Sequence, residues 1–140
     1  MSALADLAAL GEPVKPVLDA GIFVEPKDRA PDSEDDRQAV LVAALKRLPG
    51  VKVVAVPNGG KRTRWAAAKA KREGMHKGWP DLGIIWAYGC AWIEMKAGRT
   101  GPDDDQIETL NWLHARGHLV AVCRTKAGAL KTLAAWGAPV

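Results

Sequence analysis

The chain has 140 residues, enough for one domain with a real hydrophobic core. Its 48% apolar content is ordinary for a globular protein, and no apolar run approaches the ~20 residues that a membrane-spanning helix needs. The formal charge is only +4, but bases crowd between Lys61 and Lys77 while acids gather at Asp32 to Asp36 and Asp103 to Asp105. That asymmetry suits a polyanion held over a metal ion. Cys90 and Cys123 have no CxxC partner and no zinc-like His/Cys spacing. They are expected to be two buried free thiols of a cytoplasmic protein. Met1 to Leu10 contains Asp6 and no basic leader, so it does not read as a signal peptide. The sequence has no GxxxxGK[ST] loop, no GxSxG and no paired Cys/His pattern, which argues against NTP hydrolysis and covalent catalysis.

Residues 1–31 read as an appendage or linker, with a short helix over Ser2 to Leu10 followed by breakers at Gly11, Pro13, Pro16, Gly21, Pro26 and Pro31. Residues 32–140 read as one domain. Ser33, with Asp36 three later, opens a helix whose apolar face is Leu41, Leu45 and Leu48. Helical spacing back from Leu41 reaches Gln38 and Glu34, so polar residues occupy the inward face of its first turns. Val51 to Val56 is a strand, and Thr63 to Glu73 a helix stopped by Gly74. Apolar stretches at 82–87 and 90–93, separated by Tyr88-Gly89, predict a hairpin with strands over 81–87 and 90–96. A loop over 97–103 leads to a helix carrying Gln106, Leu110 and Leu113 on one face. A strand over 118–124 and a helix over 126–136 complete the order αβ(α)ββαβα, an α/β fold with a mixed sheet and flanking helices.

Asp81 stands at the start of the first hairpin strand and Glu94 near the end of the second, so the hairpin brings them together. Residues two apart on a strand share a face, ~6.6 Å apart along it, and Lys96 therefore points the same way as Glu94. Two carboxylates and an ammonium beside a sheet make a candidate site for Mg²⁺ or Mn²⁺. Glu34 is a further acid for it; Asp35 and Asp36 compete for the role, and helical phase favours Glu34. Gln106 faces the same region from a helix start, where capping is its alternative use. Asn58, Gly59, Gly60, Lys61, Arg62, Arg64, Lys69, Lys71, Arg72 and Lys77 are candidate nucleic-acid contacts, through consecutive glycine amides and an acid-poor basic stretch.

The set Pro57 to Arg62, Gly78-Trp79-Pro80-Asp81, Glu94-Met95-Lys96 and Gln106 resembles the virus-type replication-repair nuclease (VRR-NUC) domains of the PD-(D/E)xK superfamily, over roughly Ser33 to Thr125. The resemblance implies a restriction-endonuclease-like core and a metal-dependent endonuclease. In that scheme Asp81, Glu94 and Glu34 hold the metal, while Lys96 and Gln106 serve the attacking water and the transition state. Phage and bacterial domains of this kind are associated with branched DNA and Holliday-junction cleavage and pair as homodimers, which makes DNA and a second copy the expected partners. A DNA-binding module that does not cleave, or a nuclease acting on single-stranded DNA or RNA, are the alternatives.

Overall fold

The computed structural model describes residues 14–57 and 63–140. Its five strands form one mixed sheet in the order β1-β5-β4-β3-β2. They are β1 (Phe23–Val24), β2 (Val51–Ala55), β3 (Leu82–Trp86), β4 (Gly89–Met95) and β5 (Leu119–Cys123). β2, β3 and β4 run antiparallel in sequence order, whereas β5 lies parallel to both β4 and β1. The described helices are α1 (Glu34–Lys46), α2 (Arg64–Arg72), α3 (Asp104–Ala115) and α4 (Lys126–Ala135).

Strand alternation sorts the core into two layers. Val51, Leu82, Ile84, Ala91, Ile93, Met95, Ala121 and Cys123 pack with Leu41 and Leu45 of α1 and Ala129 and Leu133 of α4. On the other face, α3 lays Leu110 and Leu113 over Val120 and Val122, with Ile22, Trp79 and Trp92 closing the cluster. Leu41 and Leu45 are fully buried; each stabilises the fold by about 1.5–3 kcal/mol through removal from water. They fix the rotation of α1 about its axis and hence the direction of Glu34.

The helix starts follow their capping chemistry. Ser33 Oγ accepts from Asp36 N at 3.1 Å, with three acids in the first turn of α1. Thr63 Oγ1 accepts from Ala66 N in the same way at the start of α2. That helix buries only Ala70, so its cations are presented to solvent.

Three sequence expectations change. The hairpin turn is Ala87–Tyr88 rather than Tyr88-Gly89: Tyr88 takes a left-handed φ of 65°, and Gly89 pairs with Trp86 as the first residue of β4. Gly89 is needed there because the Trp86 indole fills the space a Cβ would take. Cys90 is exposed, since it lies on the sheet face beyond the cover of α3, while Cys123 is buried with its thiol pushed up to about 12 by burial. Finally, the segment expected as an appendage over 1–31 contributes β1.

Two buried arginines anchor that segment. Arg37 donates to both carboxylate oxygens of Asp28 at 2.7 and 2.9 Å and to the carbonyls of Ala30, Asp32 and Arg124. The guanidinium holds the Asp28 carboxyl below the usual carboxylate range. Arg124, 1% exposed, donates Nε to the Glu25 carbonyl and Nη1 to the Gly98 carbonyl. Glu25 in turn accepts from the backbone N–H groups of Arg124 and Thr125 and from the Thr125 hydroxyl. The expected helix over Ser2 to Leu10 lies outside the described residues.

Candidate metal centre

The sheet register positions the first two acids. Leu82 pairs with Ile93, so the next step outward sets Asp81 opposite Glu94. Directly opposed residues of an antiparallel pair project to the same face. Asp81 itself stands one residue before β3, where its carbonyl accepts from Val56 N at 2.8 Å. Its carboxylate Oδ2 accepts from Met95 N, also at 2.8 Å, which ties one oxygen to β4. Gly78, with a φ of 81°, lets the preceding loop approach α3: a Cβ there would stand 2.6 Å from the Asp105 backbone.

Glu34, the first residue of α1, reaches the same point from the opposite layer. One carboxylate oxygen from each of Glu34, Asp81 and Glu94 lies within 4.8 Å of the other two. Asp35 and Asp36 remain exposed on the helix surface, so α1 delivers Glu34 alone of its three leading acids.

The electrostatics of the cluster are unbalanced. Glu94 is fully buried, and its Oε2 has no hydrogen-bond partner among the described residues. Burial pushes Glu94 up to about 10, and the neighbouring Asp81 adds to the shift through its charge and a shared hydrogen bond. Lys96 opposes the shift, and Glu34 reinforces it. Glu34 is itself raised by burial, against the pull of Lys96. A buried carboxylate with an orphaned oxygen beside two more acids needs a proton or a cation. The all-oxygen donor set suits a hard divalent ion such as Mg²⁺ or Mn²⁺.

Lys96 Nζ stands 3.8 Å from Glu94 Oε1 and 3.9 Å from Glu34 Oε2, with 11% of its side chain exposed. These separations are too long for tight hydrogen bonds, so the ammonium is held near the acids without being consumed by either. Gln106 uses both ends of its amide. Its Oε1 accepts from Asp103 N at 2.9 Å while Asp103 Oδ1 accepts from Gln106 N, a reciprocal cap on α3. Its Nε2 donates to Glu94 Oε1 at 3.2 Å. Capping and site contact, alternatives in the sequence, are made by one side chain.

The expected nucleic-acid contacts divide differently. Arg64, Lys69, Lys71 and Arg72 are exposed on α2. Lys69 is also engaged with Glu73 at 3.8 Å and lies 5.5 Å from the centroid of the Trp65 ring. Lys77 pairs with Asp105 at 3.0 Å, a hydrogen bond that raises the lysine above its ordinary value. Asn58, Gly59, Gly60, Lys61 and Arg62 lie outside the described residues. Sequence reasoning missed Arg37 and Arg124, whose burial depends on backbone carbonyls converging from distant segments. It also missed Trp112, which its helical position alone marks as outward-facing.

No family model matches the sequence, and no curated protein matches it. A solved structure described as a VRR_NUC domain protein is similar over 77% of this chain and 90% of its own, at 25% identity and a TM-score of 0.62. The chain has a VRR-NUC-like fold. The α/β restriction-endonuclease-like architecture expected from the sequence is thus present, and the nuclease-domain likeness extends over most of both chains. Within this fold the acids meet at the open end of the β3–β4 hairpin, beside the starts of α1 and α3. No helix among the described residues is long and apolar enough to cross a membrane.

Proposed function

We propose that this chain is a divalent-metal-dependent endonuclease that hydrolyses DNA phosphodiester bonds. The observation that carries the reading is the convergence of Glu34, Asp81 and Glu94 beside Lys96, with one buried carboxylate oxygen left unpartnered. A divalent ion held by the three acids would supply Lewis-acid polarisation of the scissile phosphate and a bound water of lowered pKa.

The remaining work falls to the chain. Asp81 is held by Met95 N and Glu94 by Gln106, so the two acids are set before substrate arrives. Lys96 is a donor held beside them, able to orient the attacking water and to stabilise charge building on the phosphoryl oxygens. The exposed cations of α2 supply phosphate contacts that position a backbone without reading sequence. Residues 32–140 form the nuclease unit in this reading, and 1–31 an extension whose residues 23–31 are locked to it.

Branched DNA is the proposed substrate and a homodimer the proposed assembly, because one compact site nicks one strand and a symmetric double cut needs two. The test is a cleavage panel of single-stranded, duplex, flap and four-way DNA, and single-stranded RNA, with Mg²⁺, Mn²⁺ or EDTA. Wild-type protein should cut only with metal, and Lys96→Ala should bind DNA without cutting. Undiminished cleavage in excess EDTA would end the metal assignment.

A further inference from the structure

Beside the acidic cluster lies an aromatic cleft that the proposed chemistry leaves unused. It has a volume of about 380 Å³ and is lined by His76, Lys77, Trp79, Asp105, Glu108, Thr109 and Trp112. One covalent link and one hydrogen-bonded link join it to the acidic cluster. Trp79 precedes Asp81 by two residues, and Asp105 adjoins Gln106, which holds Glu94. The Gly78–Asp105 contact and the Lys77–Asp105 pair keep these two sides together.

The cleft is aromatic. Trp79 is braced edge-on between Trp92 at 5.3 Å and His76 at 5.6 Å. Trp112 is 51% exposed, yet its ring is held by the Arg116 guanidinium 4.0 Å from its centroid. That guanidinium donates to the Trp112 carbonyl and is thereby fixed. A large exposed indole kept in one position is a stacking platform rather than a core residue. The cleft also carries Asp105 and Glu108, which repel phosphate but accept N–H donors from a base edge. His76 and Trp79 also line a second cleft, bordered by Ala70 of α2 and by Glu73 just past its end.

We infer that this cleft receives an unpaired nucleobase of the DNA strand engaged at the Glu34–Asp81–Glu94 cluster, stacked against Trp112 and Trp79. A paired base inside a duplex cannot enter, so the subsite favours substrates with a single-stranded arm or junction over blunt duplex. The inference rests on the nucleic-acid reading of the metal centre but not on cleavage.

The test is therefore made by binding, in EDTA, with fluorescence anisotropy on two probes: a DNA fork with a single-stranded arm and a blunt duplex of the same sequence. Trp112→Ala should weaken fork binding by about 5- to 150-fold, the range for one stacked base, and leave duplex binding within about twofold. Trp112→Phe, which keeps a stacking face, should recover most of the loss. Abasic positions walked along the arm should reveal one site whose loss hurts wild type and adds nothing in Trp112→Ala. Equal weakening of both probes, no weakening of either, or full additivity at every abasic position would each overturn the subsite. Wild-type protein that binds the fork in this manner yet never cuts with metal would sink the catalytic reading instead.

Discussion

Glu94→Gln separates the two ways of neutralising the buried cluster. Without a cation, burial and the Asp81 charge push Glu94 up to about 10, whereas a glutamate in an unfolded chain titrates near ~4.3. Between those values the folded protein holds a proton that the unfolded chain has released. Stability is then fully present below the unfolded value and falls as pH rises, by about 1.4 kcal/mol per pH unit for one proton. Glutamine copies the protonated acid, keeps an oxygen for the Gln106 amide, and does not titrate. Urea unfolding in EDTA, followed by tryptophan fluorescence, should find the two proteins within about 1 kcal/mol of each other near pH 5; by pH 8, three units of that slope make the variant the more stable by about 4 kcal/mol. Adding Mg²⁺ or Mn²⁺ at a hundred times Kd should return about 2.7 kcal/mol to wild type and little to the variant. A stability difference independent of pH would refute the buried proton, and equal stabilisation of both proteins by metal would refute Glu94 as a ligand.

The other predictions follow from the same contacts. Metal affinity should rise with pH between 6 and 8, because the ion displaces the Glu94 proton; calorimetry in two buffers of different ionisation enthalpy would detect the release, and affinity flat with pH would contradict it. Lys96→Ala should lower the cleavage rate by about 10²- to 10³-fold, the scale of one lost transition-state donor, while metal binding by calorimetry is retained. Gly78→Ala places a Cβ 2.6 Å from the Asp105 backbone at a φ of 81°, and should cost at least about 2 kcal/mol of unfolding free energy together with much of the metal affinity. Arg64→Ala with Arg72→Ala should flatten the plot of log affinity against log salt by about two units, one per phosphate contact removed; an unchanged slope would take α2 out of the interface.

What the sequence discloses about this fold is its periodic part. The Leu41–Leu45 spacing sets the phase of α1 and thereby aims Glu34 inward, and both leucines are fully buried. Alternation along β4 puts Ile93 and Met95 in one layer and Glu94 in the other, and the hairpin register then brings Asp81 to it. These are short-range rules acting on regular elements. The parts that stayed hidden depend on partners distant in the chain. β1 is two residues long among prolines and exists because β5 offers it a parallel edge and because Arg37 and Arg124 bind the carbonyls of Ala30 and Glu25 that follow it. A charged residue in a sequence advertises solvation; only the assembled backbone shows that these two guanidiniums are buried fasteners. Gln106 marks the boundary between the two kinds of information. Its position three residues after Asp103 identifies a cap, which local sequence explains fully, and its inward phase suggests a site. That one amide does both is decided by how closely α3 approaches β4. The consequence is mechanical: the cap fixes the amide, and the amide holds Glu94 Oε1. Loosening the start of α3 should therefore disturb the proposed metal centre even though none of its three acids is altered. Asp103→Ala is the direct trial, expected to lower metal affinity along with about 1 kcal/mol of stability, the usual worth of a helix cap. A loss of stability alone would show that Glu94 keeps its place without the amide.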